Sequence, residues 1–158
     1  MIKLYKNTDD GLCYAECWVD DDMATVHLGA VGSMGECWEE ECGNAKLFLK
    51  KFKAKYEAEG YASIPDSQMC WIKVSWETEN ETLSPEDEAR IEKAYDSLNE
   101  AFGWTGLGYA DGFDTNEKDG RYFVTLYALS VDRELGIAVA KNSTELDKKF
   151  KVEAEDFE

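Results

Sequence analysis

Residues 3–42 read as short antiparallel strands, in which apolar and polar side chains alternate with a period of two. Cys13, Ala15, Cys17 and Val19 interleave with Tyr14, Glu16, Trp18 and Asp20, the pattern of a strand that buries one face. The acidic triplet Asp20-Asp21-Asp22 marks a turn. Alternation resumes from Met23 to Leu28, and Gly29, Gly32 and Gly35 punctuate a tight loop before another strand over Glu36–Glu41. The period then lengthens. Leu47, Phe48, Phe52 and Tyr56 recur at helical spacing behind Asn44, a good N-cap, and Gly60 stops the helix so that Tyr61 folds back on it. Residues 62–68, with Pro65, read as a linker.

Beyond the linker, Cys70, Ile72, Val74 and Trp76 form one face of a strand. Ser84-Pro85-Glu86-Asp87 opens a helix, with serine at the cap, proline in the first turn and acids against the dipole. Ile91, Tyr95, Leu98 and Phe102 are its expected buried stripe. Leu107–Phe113 and Tyr122–Val131 read as two strands joined by a polar turn over Asp114–Gly120. Asp132 caps a short helix carrying Leu135, Ala138 and Val139, and Phe150, Val152 and Ala154 alternate in a last strand. The order is β-α-β-β-α-β, the split βαβ of ferredoxin-like folds. The chain is therefore expected to be α+β, with a β-rich domain over 1–62 and a second domain over 69–155.

Charge narrows the function. Against 17 Lys and Arg stand 34 Asp and Glu, a formal net charge of −17. Such a surface repels phosphate backbones and anionic membranes and favours cationic partners. Five lysines nevertheless crowd into one helix: Lys46, Lys50, Lys51, Lys53 and Lys55. At about 100° per residue, Lys46, Lys50 and Lys53 share one sector while Lys51 and Lys55 fall on another. Expected binding to nucleic acid is accordingly weak, indifferent to sequence and lost as salt rises.

Five cysteines, an odd number, without a secretion signal argue against a disulfide framework, and the chain is expected in the cytosol. Cys13 and Cys17 on one strand lie roughly 13 Å apart at about 3.3 Å per residue, too far to share one tetrahedral ion. No metal and no cofactor is expected. Gly106-x-Gly108 lacks the third glycine and the helix of a dinucleotide fingerprint, since Asp111 fills that position; strand-start or bulge glycines account for it. Asp114–Gly120 fails as a calcium loop because Lys118 occupies a ligand position and Thr125 stands where glutamate is needed. His27, the single histidine, sits in strand alternation with Met23 and Thr25 and reads as structural; no motif builds a triad around it.

The loop Leu28-Gly29-Ala30-Val31-Gly32-Ser33-Met34-Gly35, the segment Phe48-Leu49-Lys50-Lys51-Phe52-Lys53-Ala54-Lys55-Tyr56 and the closing Gly60-Tyr61 come in the order of a WGR domain. The first 65 residues resemble that family. Leu28 and Ala30 replace the tryptophan and arginine of its name triplet, so the resemblance implies the scaffold more than its contact with DNA. Gly106-Leu107-Gly108-Tyr109-Ala110-Asp111-Gly112 gives the second half a looser similarity to ferredoxin-like bacterial domains, which implies a fold and no particular activity.

The expected function is a non-enzymatic, acidic protein-interaction module, inhibitory or immunity-like towards a basic partner. The alternative is a nucleic-acid-associated regulator that binds through the Lys46–Lys55 helix, and a small-ligand site between the halves comes third. Candidate binding residues are Lys46, Lys50 and Lys53, with Trp18, Trp38 and Trp104 as aromatic anchors; no catalytic residue is assigned.

Overall fold

The computed structural model describes residues 1–157. The chain is α+β and divides into two compact units, Met1–Pro65 and Asp66–Glu158.

In the first unit, strands β1 (Ile2–Thr8), β2 (Gly11–Asp20), β3 (Met23–Ala30) and β4 (Glu36–Glu41) form an antiparallel meander in chain order. Register sets Leu4 against Ala15 and Cys17 against Val26. That face, with Ala24, packs against Phe52 and Tyr56 of helix α1 (Ala45–Ala58) and against Cys42. Asn44 caps α1 through a bond accepted from the Leu47 amide at 2.9 Å. Its other end is a Schellman closure, Tyr61 N donating to Tyr56 O at 3.0 Å and Gly60 N to Glu57 O at 3.1 Å. The Tyr56 and Tyr61 rings meet edge to face with centroids 5.3 Å apart. Leu47, expected in the buried stripe, is 49% exposed, and Leu49 takes its place against the core. The cause is helix phase: Leu47 lies about 140° around the axis from Phe52, and Leu49 about 60°.

In the second unit, β5 (Cys70–Thr78), α2 (Pro85–Trp104), β6 (Gly108–Lys118), β7 (Arg121–Ser130), α3 (Arg133–Ser143) and β8 (Phe150–Asp156) follow in the order β-α-β-β-α-β. The sheet order is β6-β7-β5-β8, antiparallel throughout. Ile72, Val74 and Trp76 of β5 and Val124, Leu126 and Ala128 of β7 bury one face, and Ile91, Ala94, Leu98 and Phe102 of α2 are buried with them.

Two local expectations change. Asp114–Lys118 is strand rather than turn: β6 pairs with β7 as far as Lys118 and Arg121, and only Asp119 and Gly120 form the turn. Both carry positive φ, 55° and 73°, the geometry of a tight hairpin whose twist matches its strands. The buried face of α3 is Gly136 and Ala140, while Leu135 is 39% exposed and Ala138 is also exposed. Gly136 sits on β5 and β7 so closely that a Cβ would lie 3.0 Å from the Ile72 side chain and 2.7 Å from Ser130 Oγ. Close approach of helix to sheet, not hydropathy, sets the phase of α3.

The start of α2 is a reciprocal capping box: Asp87 N donates to Ser84 Oγ at 3.1 Å, and Ser84 N donates to Asp87 Oδ2 at 3.1 Å. Hydrogen bonds from the Ser84 side chain and then its backbone hold the Asp87 carboxyl below the usual range. A depressed carboxylate contributes stability that is complete above its unfolded value, near 4, and lost as pH falls through the folded value. Asp87→Ala should therefore destabilise the unit by about 1 kcal/mol at neutral pH. The gap to the parent should close in acid. Urea midpoints of both proteins at neutral and acid pH read this difference directly. Using the difference matters because Asp147 and Glu77 are lowered as well, chiefly by hydrogen bonds from Arg90 and Arg121.

Candidate functional site

The second face of the first sheet, which alternation alone would leave to solvent, is buried and polar around Tyr14, Glu16 and His27. Register places Lys3 beside Glu16, Glu16 beside His27, and His27 beside Cys37. Tyr14 and His27 are 0% exposed and Glu16 is 4% exposed. His27 Nδ1 lies 2.6 Å from Glu16 Oε1, and Lys3 Nζ lies 3.3 Å from Glu16 Oε2. His27 Nε2 lies 2.6 Å from the Met34 carbonyl and 2.9 Å from the Tyr14 hydroxyl, which donates to the Ser33 carbonyl at 3.0 Å. The network therefore grips the main chain of the loop 31–35. Gly35 belongs to the same grip: its φ is +61°, and a Cβ there would lie 2.1 Å from the Leu28 carbonyl oxygen.

An acid, an imidazole and a hydroxyl stand in the order of a nucleophilic triad, yet the chemistry differs. The hydroxyl is a phenol pushed up to about 12, by burial first and then by Glu16 and Cys37. A proton held that firmly suits a donor to a carbonyl, not a nucleophile. Cys37, across from His27 on β4, is exposed, but desolvation, Glu39 and Glu16 raise its thiol and work against the thiolate. The cluster is a clamp on a loop.

The predicted binding residues disperse. Lys46, Lys50 and Lys53 are exposed on α1, and Lys53 pairs with Glu57 at 3.7 Å. The lysines that meet aromatic surface are instead Lys51 and Lys55, which with Trp38, Phe48 and Glu40 line a groove of about 210 Å³ between α1 and β4. Trp38 is 40% exposed and donates to Glu40 Oε2 at 3.2 Å. Trp18 is half-buried on β2, and Trp104 is half-buried at the end of α2 in the other unit.

The strongest exposed feature is β4 itself. It is the edge of its sheet, paired among the described residues with β3 alone, and all six of its residues are exposed. Four of them are glutamates: Glu36, Glu39, Glu40 and Glu41. Asp20, Asp21 and Asp22 at the β2–β3 turn extend the acidic surface, since Met23 pairs with both Asp20 and Glu41.

No protein-family model, curated protein or solved structure matches this chain. Geometry and charge therefore carry the functional argument. Among the described residues, no group of three or more His, Cys, Asp and Glu could hold a metal ion, and no helix is long and apolar enough to cross a membrane.

Sequence reasoning passed over a further cavity. A groove of about 860 Å³ in the second unit is lined by the ends of β5 and β7 and by the segment leading into β8. Its signal in the sequence is Lys148-Lys149-Phe150-Lys151, a basic run in the more acidic half of the chain. Only the fold shows that Arg121 and Trp76 join it.

Proposed function

We propose that this chain is an acidic binding module for a basic protein, with the β4 edge of the first unit as its docking strand. The observation that carries the reading is a fully exposed edge strand bearing four glutamates around a partly exposed tryptophan. An edge strand offers a row of main-chain groups for another strand to join. Carboxylates on such an edge repel copies of the same chain and select a cationic partner, while Trp38 supplies the aromatic anchor. The first unit serves as a WGR-like scaffold in this reading, supported by the four-stranded meander backed by a lysine-bearing helix. The second unit is read as ferredoxin-like, supported by its element order and its β6-β7-β5-β8 sheet.

The alternative, a nucleic-acid-associated regulator, draws support from Lys51 and Lys55 beside Trp38, a cation-and-aromatic pairing that single strands exploit. Against it stand Glu40 within the same groove and the chain's net charge of −17.

The test is hydrogen exchange on the complex formed with basic proteins from the native host. Amides of β4 should gain protection. Glu39→Lys combined with Glu41→Lys, both exposed positions, should weaken the complex tenfold or more, which corresponds to about 1.4 kcal/mol. Protection confined to α1, together with submicromolar nucleic-acid binding at 150 mM salt that Lys51→Glu abolishes, would replace the reading with the alternative.

A further inference from the structure

We propose that the groove in the second unit binds a small organic anion with a flat apolar body. Three sequence-distant segments build it. Trp76 pairs with Val124 on one side and Phe150 on the other, and Thr78 pairs with Tyr122. The order β7-β5-β8 thus brings the last turn of β5, the first residues of β7 and the Lys148–Lys151 segment to one end of the sheet. The resulting space, about 860 Å³, is within the range of small-molecule sites.

The lining chemistry selects an anion. Arg121, Lys148, Lys149 and Lys151 line the groove against Glu77 and Glu79, with Lys151 also paired to Glu153, so a narrow excess of cations stands there in a chain of net charge −17. Glu77 is already engaged: Arg121 Nε donates to its Oε1 at 2.9 Å, and Lys148 Nζ donates to its backbone carbonyl at 3.1 Å. Lys149 is exposed and forms no ion pair among the described residues. With a Debye length of about 8 Å at physiological salt, such cations dominate the local field while distant acids are screened. A polyanion would extend back into the acidic surface; a small anion would not.

The second observation is Trp76. Trp76 is among the residues of the same groove and is 2% exposed, and its indole N–H is buried without an acceptor among the described residues. A buried donor left unpaired costs about 1–3 kcal/mol, and native proteins rarely carry one without a reason. The nitrogen is sealed from water in the free chain, so an acceptor reaches it only when the wall yields. Lys148 and Lys149 belong to the irregular segment between α3 and β8, the part of the wall best able to move. Tyr122 and Phe150, which pair with Thr78 and Trp76 and so share the Trp76 face of the sheet, are half-buried by the groove and supply faces for a flat apolar body.

The experiment follows the five tryptophan indole N–H signals of the full chain by NMR, with the Trp76 signal assigned through Trp76→Phe. The probes are 1-naphthyl phosphate, 1-naphthoate and neutral 1-naphthol. At least one anion should bind and move the Trp76 indole proton downfield, with 1-naphthol at least tenfold weaker. The two anions distinguish a phosphate from a carboxylate ligand. Lys149→Glu with Lys151→Glu, both on exposed side chains, should weaken binding at least tenfold without changing the other indole signals. An unmoved Trp76 signal at millimolar probe, equal binding of 1-naphthol, or indifference to the double charge reversal would overturn the proposal.

Discussion

His27→Ala should destabilise the first unit by about 3 kcal/mol, because each buried polar group left without its partner costs about 1–3 kcal/mol and two are left here. The size follows from what is left behind. Glu16, 4% exposed, would keep only Lys3 at 3.3 Å, and the Met34 carbonyl would lose its donor at 2.6 Å. An interior void would replace the ring. In a unit of this size each kcal/mol moves the melting midpoint by roughly 4–8 °C, so a fall of more than about 10 °C is expected. His27→Gln, which retains an N–H donor, should fall between parent and alanine variant. Two units need not unfold together, so exchange of the β2 and β3 amides, rather than a whole-chain melt, reads the effect. Unchanged protection in His27→Ala would show that the clamp bears no weight. The docking proposal makes a further demand: the Glu39 and Glu41 reversals must leave this protection intact, because they alter only exposed side chains.

Gly108→Ala should cost the second unit about 3 kcal/mol, through backbone strain and displacement rather than lost contacts. Gly108 has φ +155°, and a Cβ there would lie 1.9 Å from the Leu129 carbonyl oxygen and 2.9 Å from its carbon. Main chain cannot swing aside as a side chain does. β6 would have to peel from β7 where Gly108 pairs with Ser130. Gly120→Ala is the control: its φ is +73°, but nothing lies within 4 Å of the added carbon, so only the left-handed penalty of about 1 kcal/mol applies. Urea unfolding of the two variants should separate them by about 2 kcal/mol, the gap between these strain and conformational costs. Equal midpoints would mean that the strand start tolerates displacement.

Local chemistry was legible wherever one short stretch contains both partners of an interaction. Ser84 and Asp87 lie three residues apart, so their capping box can be read from spacing alone, as can Asn44 as the cap of α1. Cys70, Ile72, Val74 and Trp76 bury one face because strand period is independent of context. Gly108 was legible as a strand-start glycine, although the carbonyl that forbids a side chain belongs to Leu129, across the sheet.

Whatever depends on a second surface was decided by tertiary structure. Alternation marks one buried face of β2. Burial of Tyr14 and Glu16 on the other depends on a polar network that joins β1, β3 and the main chain of the loop 31–35. The phase of α3 was set by how closely Gly136 lets the helix approach Ile72, which hydropathy does not encode. Helical geometry separated the lysines of α1 into two sectors, but only the position of β4 decided that Lys51 and Lys55 are the ones beside Trp38. The basic run at Lys148–Lys151 was visible as charge. It became a groove only when antiparallel pairing carried it to Trp76 and Arg121, because a cavity is a property of elements distant in sequence and adjacent in space.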